Sequence, residues 1–358
     1  MRIAIISITN EGALLAQGLT ASLKGEIDVF AKVGRNPAEA KEYEHLGQLV
    51  ARLFHQYDSF VFIMSVGVVV RVIAPHVRDK RYDPAVVVMD ETGSYVISLL
   101  SGHLGHANAL TCIVGESVKA HSVITTATDV LQKPAVDLLA VKINATIEPF
   151  ENLHTMNAAI DKGDKVSFFI DSTLANCETY IAAAEEFDVK LIDIKELADA
   201  ASYDAAVVIT DKELYMVKPY VFLRPASLVV GINCRPGTTG SEILGAIADA
   251  CRKAGRSTKS IAAIASSVVK EDEIGVLATA QQIEVPVRFF NAEELNQCIE
   301  KFGLKKSAII DEKSGASIAN ICEAAALVAA KTDSLILEAT LYNNVMIAIA
   351  EAKSPWWE

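Results

Sequence analysis

The sequence predicts an α/β fold in more than one globular unit, and three observations carry that reading. Short apolar, β-branched runs alternate with helical patterns from the start of the chain, the order that builds a parallel sheet with helices on its faces. The chain has 358 residues, enough for two or three domains at roughly 100 to 200 residues each. Hydrophobic residues make up 51% of it, so each unit can bury a core of its own.

The elements follow from the pattern. Strands are expected at residues 3–8, 27–30 and 60–64, with helices at 13–23 and 43–54 between them. Runs at 85–89 and 95–99 flank Asp90-Glu91-Thr92-Gly93-Ser94, whose turn residues predict a hairpin or short connection, and a helix follows at 107–118. Together they make an N-terminal parallel-sheet α/β unit over residues 1–143. Residues 144–225 read as a smaller middle α/β segment with strands at 166–170, 190–194 and 206–209. The two prolines Pro219 and Pro225 make the stretch 218–225 read as a linker or domain entry. Alternation then restarts in a C-terminal α/β domain over 226–358. Its strands are expected at 228–232, 261–265, 287–290, 307–310, 335–337 and 345–348, its helices at 240–254, 271–282, 292–301 and 318–329.

Composition excludes several classes. The formal charge is −12, from 33 Lys plus Arg against 45 Asp plus Glu, which gives no global attraction to nucleic acid or an anionic membrane. No apolar run approaches the roughly 20 residues of a bilayer-spanning helix. The opening Met1-Arg2-Ile3-Ala4-Ile5-Ile6-Ser7-Ile8 reads as a buried first strand, not a signal peptide. Six scattered cysteines without a Cys-x-x-Cys pair suit reduced thiols in a cytoplasm. Neither the dinucleotide-binding nor the P-loop glycine pattern is present.

Polar chemistry concentrates before residue 130. Arg71, Arg78, Lys80 and Arg81 form a basic cluster, either a solvated loop or a cradle for anionic groups. Ser101-Gly102-His103-Leu104-Gly105-His106 runs from a strand end into a helix, where backbone N–H groups can attract anions or an oxyanion. His103, with His106 in reserve, is a candidate general base or else a capping or packing residue. No third ligand completes a metal site around this pair. Thr125-Thr126-Ala127-Thr128-Asp129 closes a strand with hydroxyls and one carboxylate. Asp129 is either a helix or turn cap or a group in a crevice shared with the 101–108 tip, since ligands gather outside C-terminal strand ends. In the C-terminal domain, Cys234-Arg235-Pro236-Gly237-Thr238-Thr239-Gly240 is another strand-to-helix turn. There Thr239 or Ser241 is a plausible N-cap and Arg235 a carboxylate contact.

Several stretches resemble the CbiG family of anaerobic cobalamin biosynthesis, the cobalt-precorrin-5A hydrolases. They are Asp79-Lys80-Arg81-Tyr82-Asp83-Pro84, Leu99-Leu100-Ser101-Gly102-His103-Leu104-Gly105 and Ile124-Thr125-Thr126-Ala127-Thr128-Asp129. Val230-Gly231-Ile232, Cys234-Arg235 and Cys322-Glu323-Ala324-Ala325-Ala326 are similar to the C-terminal domain shared by CbiG and CobE proteins. The chain departs from the family pattern at His106, where a second glycine is expected, at Pro236 in place of an arginine, and at Glu338-Ala339-Thr340, which lacks a lysine.

The resemblance implies hydrolysis of a ring-A δ-lactone on a cobalt tetrapyrrole with release of acetaldehyde. It implies no organic cofactor, because cobalt arrives with the substrate. The expected catalytic residues are His103, His106 and Asp129. Expected to bind substrate are Arg71, Lys80, Arg81, Ser101, Gly102, Thr125, Thr126, Thr128 and Arg235, with no protein-bound metal. The expected partners are the cobalt-precorrin polycarboxylate and neighbouring pathway enzymes, with a homodimer as the assembly to look for and neither nucleic acid nor membrane. A non-catalytic corrinoid carrier is the alternative, and an unrelated α/β hydrolase or nucleotide-binding enzyme stands behind it.

Overall fold

The computed structural model describes residues 1–38, 40–126, 136–199, 201–304 and 321–355. It divides into two compact units, Met1–Lys133 and Pro134–Glu358. The fold is α/β as expected, with three sheets of 7, 5 and 5 strands among the described residues.

The first unit runs β1 (Arg2–Ser7), α1 (Asn10–Leu19), β2 (Glu26–Lys32), β3 (Lys41–Tyr43), α2 (Leu46–Leu53), β4 (Ser59–Ile63) and α3 (Val66–Ile73). It continues with β5 (Ala85–Met89), β6 (Tyr95–Leu100), α4 (Ala107–Val118) and β7 (His121–Val123). The sheet order is β3-β2-β1-β4-β5-β6-β7. Side chains alternate across it as strand geometry demands. Ala4, Ile6, Phe60 and Phe62 pack with Val50 of α2 and Val69 of α3, whereas Ile3, Ile5, Val61 and Ile63 pack with Ala16 of α1 and Val114 of α4. Each fully buried large side chain contributes about 1.5–3 kcal/mol.

The first five strands are parallel. The last two are reversed: β6 is antiparallel to β5, and β7 runs parallel to β6. The cause is the expected hairpin. A parallel return needs a dozen or more residues, and residues 90–94 are too few. The Asp90 carboxylate instead closes the turn, accepting from the N–H groups of Thr92 (2.8 Å), Ser94 (3.0 Å) and Tyr95 (2.6 Å). Leu100 therefore pairs with Val86 near the start of β5. The segments that follow β6 and β7 leave the sheet at the edge where β1, β4 and β5 begin.

The second unit holds a sheet of β8 (Ala145–Glu148), β9 (Val166–Ile170), β10 (Leu191–Asp193), β11 (Ala205–Ile209) and β12 (Tyr220–Pro225) in the order β10-β9-β11-β12-β8. Its other sheet has β13 (Leu228–Cys234), β14 (Ile261–Ser267), β15 (Val287–Phe290), β16 (Leu335–Tyr342) and β17 (Val345–Glu351) in the order β15-β14-β13-β17-β16. The stretch 218–225 is thus not a linker. Val221, Phe222 and Leu223 are buried as an inner strand, and Pro219 and Pro225 sit just before its start and at its end. Arg224 is only 1% exposed. It donates to the Glu148 carboxylate (2.7 Å) and to the Thr210 carbonyl (3.2 Å).

Buried polar contacts tie the two sheets of this unit together. Asp211, which follows β11, is fully buried and pairs with Arg256, while its carbonyl accepts from Ser257 N–H at 2.7 Å. Asn176 donates to the Ala352 carbonyl at 3.1 Å. The strand expected at 307–310 lies outside the described residues.

Candidate functional site

The chemistry gathers at one edge of the first unit's sheet. From the end of β6 the chain enters a tight loop in which Ser101 has φ 59° and His106 φ 68°. Both lie in the left-handed region that L residues avoid. Ser101 Oγ donates to the Asp83 carbonyl at 2.9 Å, pinning the loop to the entrance of β5. Gly105 fits against it: a Cβ there would lie 2.5 Å from Ser101 Cβ and 2.9 Å from its carbonyl oxygen.

The loop closes on itself through backbone bonds. His106 N–H donates to the His103 carbonyl (3.0 Å), Ala107 N–H to that of Ser101 (3.1 Å) and Asn108 N–H to that of Gly102 (3.0 Å). Of the amides around 102–107 expected to offer themselves to an oxyanion, those of His106 and Ala107 are thus already engaged. Among the described residues, no backbone bond engages the N–H groups of Leu104 and Gly105.

These two residues and His106 line a cavity of about 640 Å³, together with Arg81, Tyr82, Asp83, Pro84, His55 and Tyr57. His106 is exposed at the N-cap of α4, and His103 is half-buried on the same loop. A second, wholly aliphatic groove of about 420 Å³ lies between the end of α3 and the end of β6, lined by Val70, Ile73, Ala74, Val77, Leu99 and Leu100.

The basic cluster lies on the α3–β5 connection and the last turn of α3. Arg71 is exposed and donates to the Gly67 carbonyl one turn back (2.8 Å). Arg81 grips Asp79 with two parallel bonds, Nε to Oδ1 at 3.0 Å and Nη2 to Oδ2 at 2.7 Å. That contact holds the Asp79 carboxyl down at about 2, so Arg81 offers a ligand only what Asp79 leaves. Lys80 is exposed between them. Asp83, buried, receives the Arg78 N–H on both oxygens (3.1 and 3.0 Å) and orders the turn into β5.

Thr125 and Thr126 follow β7 at the same edge, and Thr126 Oγ1 accepts from Asn108 Nδ2 at 3.1 Å. The two tips expected to share a crevice are thus joined by a side chain that the sequence reading did not single out. Its only signal was a polar residue on the buried side of a helix start. Thr128 and Asp129 lie outside the described residues. The edge in question is the one where the parallel strands begin; the rule of C-terminal strand ends holds only for the reversed β6 and β7.

Arg235 belongs to the second unit, exposed at the end of β13. There its backbone N–H donates to the Asn344 carbonyl (3.0 Å) and its carbonyl accepts from Thr238 Oγ1 (2.7 Å). Thr239 caps the following helix, Gly240–Ala254, in a reciprocal box with Glu242. Burial pushes the Cys234 thiol up, away from a thiolate nucleophile. Among the described residues no cluster of His, Cys, Asp and Glu has metal-binding geometry, and no helix is long and apolar enough to cross a membrane.

Family comparison covers nearly the whole chain. Residues 48–129 match the cobalamin synthesis G N-terminal model, 134–225 the cobalamin biosynthesis central region and 228–350 the cobalamin synthesis G C-terminus. A cobalt-precorrin-5A hydrolase of Priestia megaterium is 30% identical over 357 residues, which is 97% of this chain and 94% of that protein. One from Salmonella typhimurium is 32% identical over 299 residues, covering 82% and 83% of the two chains. A solved cobalamin biosynthesis protein G homologue from Sulfolobus solfataricus is 22% identical, covers 98% of this chain and 96% of its own, and has a TM-score of 0.39. With its three parts matched in order and curated relatives aligned almost end to end, the chain belongs to the cobalamin synthesis G (CbiG) family.

Proposed function

We propose that the chain is a cobalt-precorrin-5A hydrolase, opening the ring-A δ-lactone of a cobalt tetrapyrrole and releasing acetaldehyde in anaerobic cobalamin biosynthesis. The observation that carries this reading is the near full-length match to relatives of that name. The sheet edge bearing two imidazoles, a lined cavity and an aliphatic groove is consistent with it.

In the first step His103, with His106 in reserve, takes a proton from water as its oxygen adds to the lactone carbonyl. The N–H groups of Leu104 and Gly105, beside His106 in the cavity wall, are the donors for the tetrahedral oxyanion. Collapse breaks the ester C–O bond and frees a hydroxyl on the former meso carbon. In the second step a base, His103 again or Asp129, removes that hydroxyl proton. The carbon–carbon bond to the ring then breaks, its electron pair enters the metallated macrocycle, and acetaldehyde leaves.

The substrate's carboxylates are assigned to Arg71, Lys80, Arg81 and Arg235, and its polar edge to Ser101, Gly102, Thr125, Thr126 and Thr128. The aliphatic groove suits an apolar ring face. Hydrolysis consumes only water, so no organic cofactor enters the reaction, and cobalt travels as part of the substrate. The same reading expects a cytoplasmic enzyme that exchanges substrate with neighbouring pathway enzymes, as a homodimer if a second copy binds.

The test is acetaldehyde release from the lactone substrate by the wild type and by His103→Ala. The variant is expected to stay folded, bind corrinoid and lose about 10²–10⁴-fold in rate. Activity within a factor of a few of the wild type removes His103 from the mechanism, and a wild type that binds without releasing acetaldehyde is a carrier.

A further inference from the structure

Two separate strand tips carry the polar groups of the site, and one side chain joins them. Asn108, 8% exposed, is the second residue of α4. Its Oδ1 accepts from Ser98 Oγ of β6 at 2.6 Å, its Nδ2 donates to Thr126 Oγ1 at 3.1 Å, and its own N–H donates to the Gly102 carbonyl at 3.0 Å. The amide also packs closely against Gly102: a Cβ there would sit 2.8 Å from Oδ1 and 3.2 Å from both Cγ and Nδ2. A side chain at 102 would have to displace the Asn108 amide from its two partners, and the residue next in chain is His103.

We infer that Asn108 is a positioning residue, which fixes the 101–106 loop against the 124–126 tip so that the imidazoles and the threonine hydroxyls present one constellation. Buried polar side chains with every group engaged specify a unique local geometry. Displacement of about 1 Å in a catalytic group can lower a rate about 10²-fold. Ser98 and Thr126 hydroxyls would otherwise meet an apolar contact and lose their partner. This inference rests on the hydrolase reading for its catalytic consequence, but the tether itself does not.

The experiment uses the full chain with Asn108→Leu, which keeps the number and branching of the side-chain heavy atoms and removes both side-chain bonds, and Asn108→Asp, whose two oxygens accept from both hydroxyls. Hydrogen exchange is followed in peptides covering 101–106 and 124–126, and acetaldehyde release gives kcat and KM. The leucine variant should exchange about tenfold faster in both segments, lose about 10–100-fold in kcat and keep KM within about threefold. The aspartate variant should restore protection in both segments and most of kcat. A purely structural role would lower the folded fraction while leaving kcat per folded molecule and the KM-to-kcat split unchanged, and that result overturns the inference. So does a folded leucine variant with wild-type exchange in either segment. Should the leucine variant not fold, Ser98→Ala must loosen both 101–106 and 124–126; protection at the wild-type level refutes the tether. A wild type that releases no acetaldehyde removes the hydrolase reading, and the exchange data then decide the tether alone.

Discussion

His106 occupies a backbone conformation built for glycine, and replacing it should stabilise the protein. Its φ of 68° and ψ of 20° place it in the left-handed helical region, which costs a non-glycine residue about 1–2 kcal/mol. Glycine removes that strain but adds unfolded-state freedom worth about 0.4–1 kcal/mol. The net expectation for His106→Gly is a gain of about 0.5–1 kcal/mol, or about 2–4 °C in the transition of a unit of this size. His106→Ala is the control, since it removes the imidazole and keeps the strain, so it should melt at or below the wild type. Thermal unfolding of the full chain, followed by calorimetry, separates the two. The strain argument fails if the glycine variant melts no higher than the alanine variant. The same pair reports on chemistry: with His103 as the base, both variants retain acetaldehyde release within a factor of a few. The glycine that the resemblance leads one to expect at this position then follows from backbone conformation.

Arg71→Ala and Lys80→Ala should each weaken corrinoid binding more than turnover, and binding should fall with added salt; a flat salt profile removes the carboxylate cradle. Arg256→Ala leaves the fully buried Asp211 carboxylate without its guanidinium and should destabilise the second unit by about 3–5 kcal/mol. Burial pushes Asp211 up in spite of Arg256, so Asp211→Asn should cost less than half as much in denaturant unfolding; the reverse order refutes this account of the pair. Glu351, at the end of β17, is pushed above the ordinary carboxylate range by burial. Between those two values the native state holds more protons than the unfolded chain, so stability falls as pH rises through the folded value. Glu351→Gln keeps an acceptor for the Ala175 N–H, which lies 2.7 Å from the carboxylate, and should flatten that decline; an unchanged pH slope excludes Glu351 as its source.

What the sequence determined by itself was whatever short-range physics controls. The two-residue and 3.6-residue periods placed most strands and helices. Thr239 or Ser241 announced the start of the helix Gly240–Ala254, and the Asp90–Ser94 stretch announced the hairpin, because caps and turns are made by residues within a few positions of one another. The motifs at 79–84, 99–105 and 124–129 were sufficient to indicate the family. The tertiary structure decided what depends on partners distant in sequence. A strand's apolar pattern is the same in either direction, so only the pairing of Val86 with Leu100 revealed that β6 and β7 are reversed and that the site lies where the parallel strands begin. The prolines of 218–225 read as a linker or a domain entry, and only β8 and β11 flanking that stretch as its sheet neighbours showed it to be a strand. Asn108 reads in sequence as one polar residue in a helix start. Its role exists only because folding brings Ser98 and Thr126, ten and eighteen positions away, within hydrogen-bond reach of its single side chain.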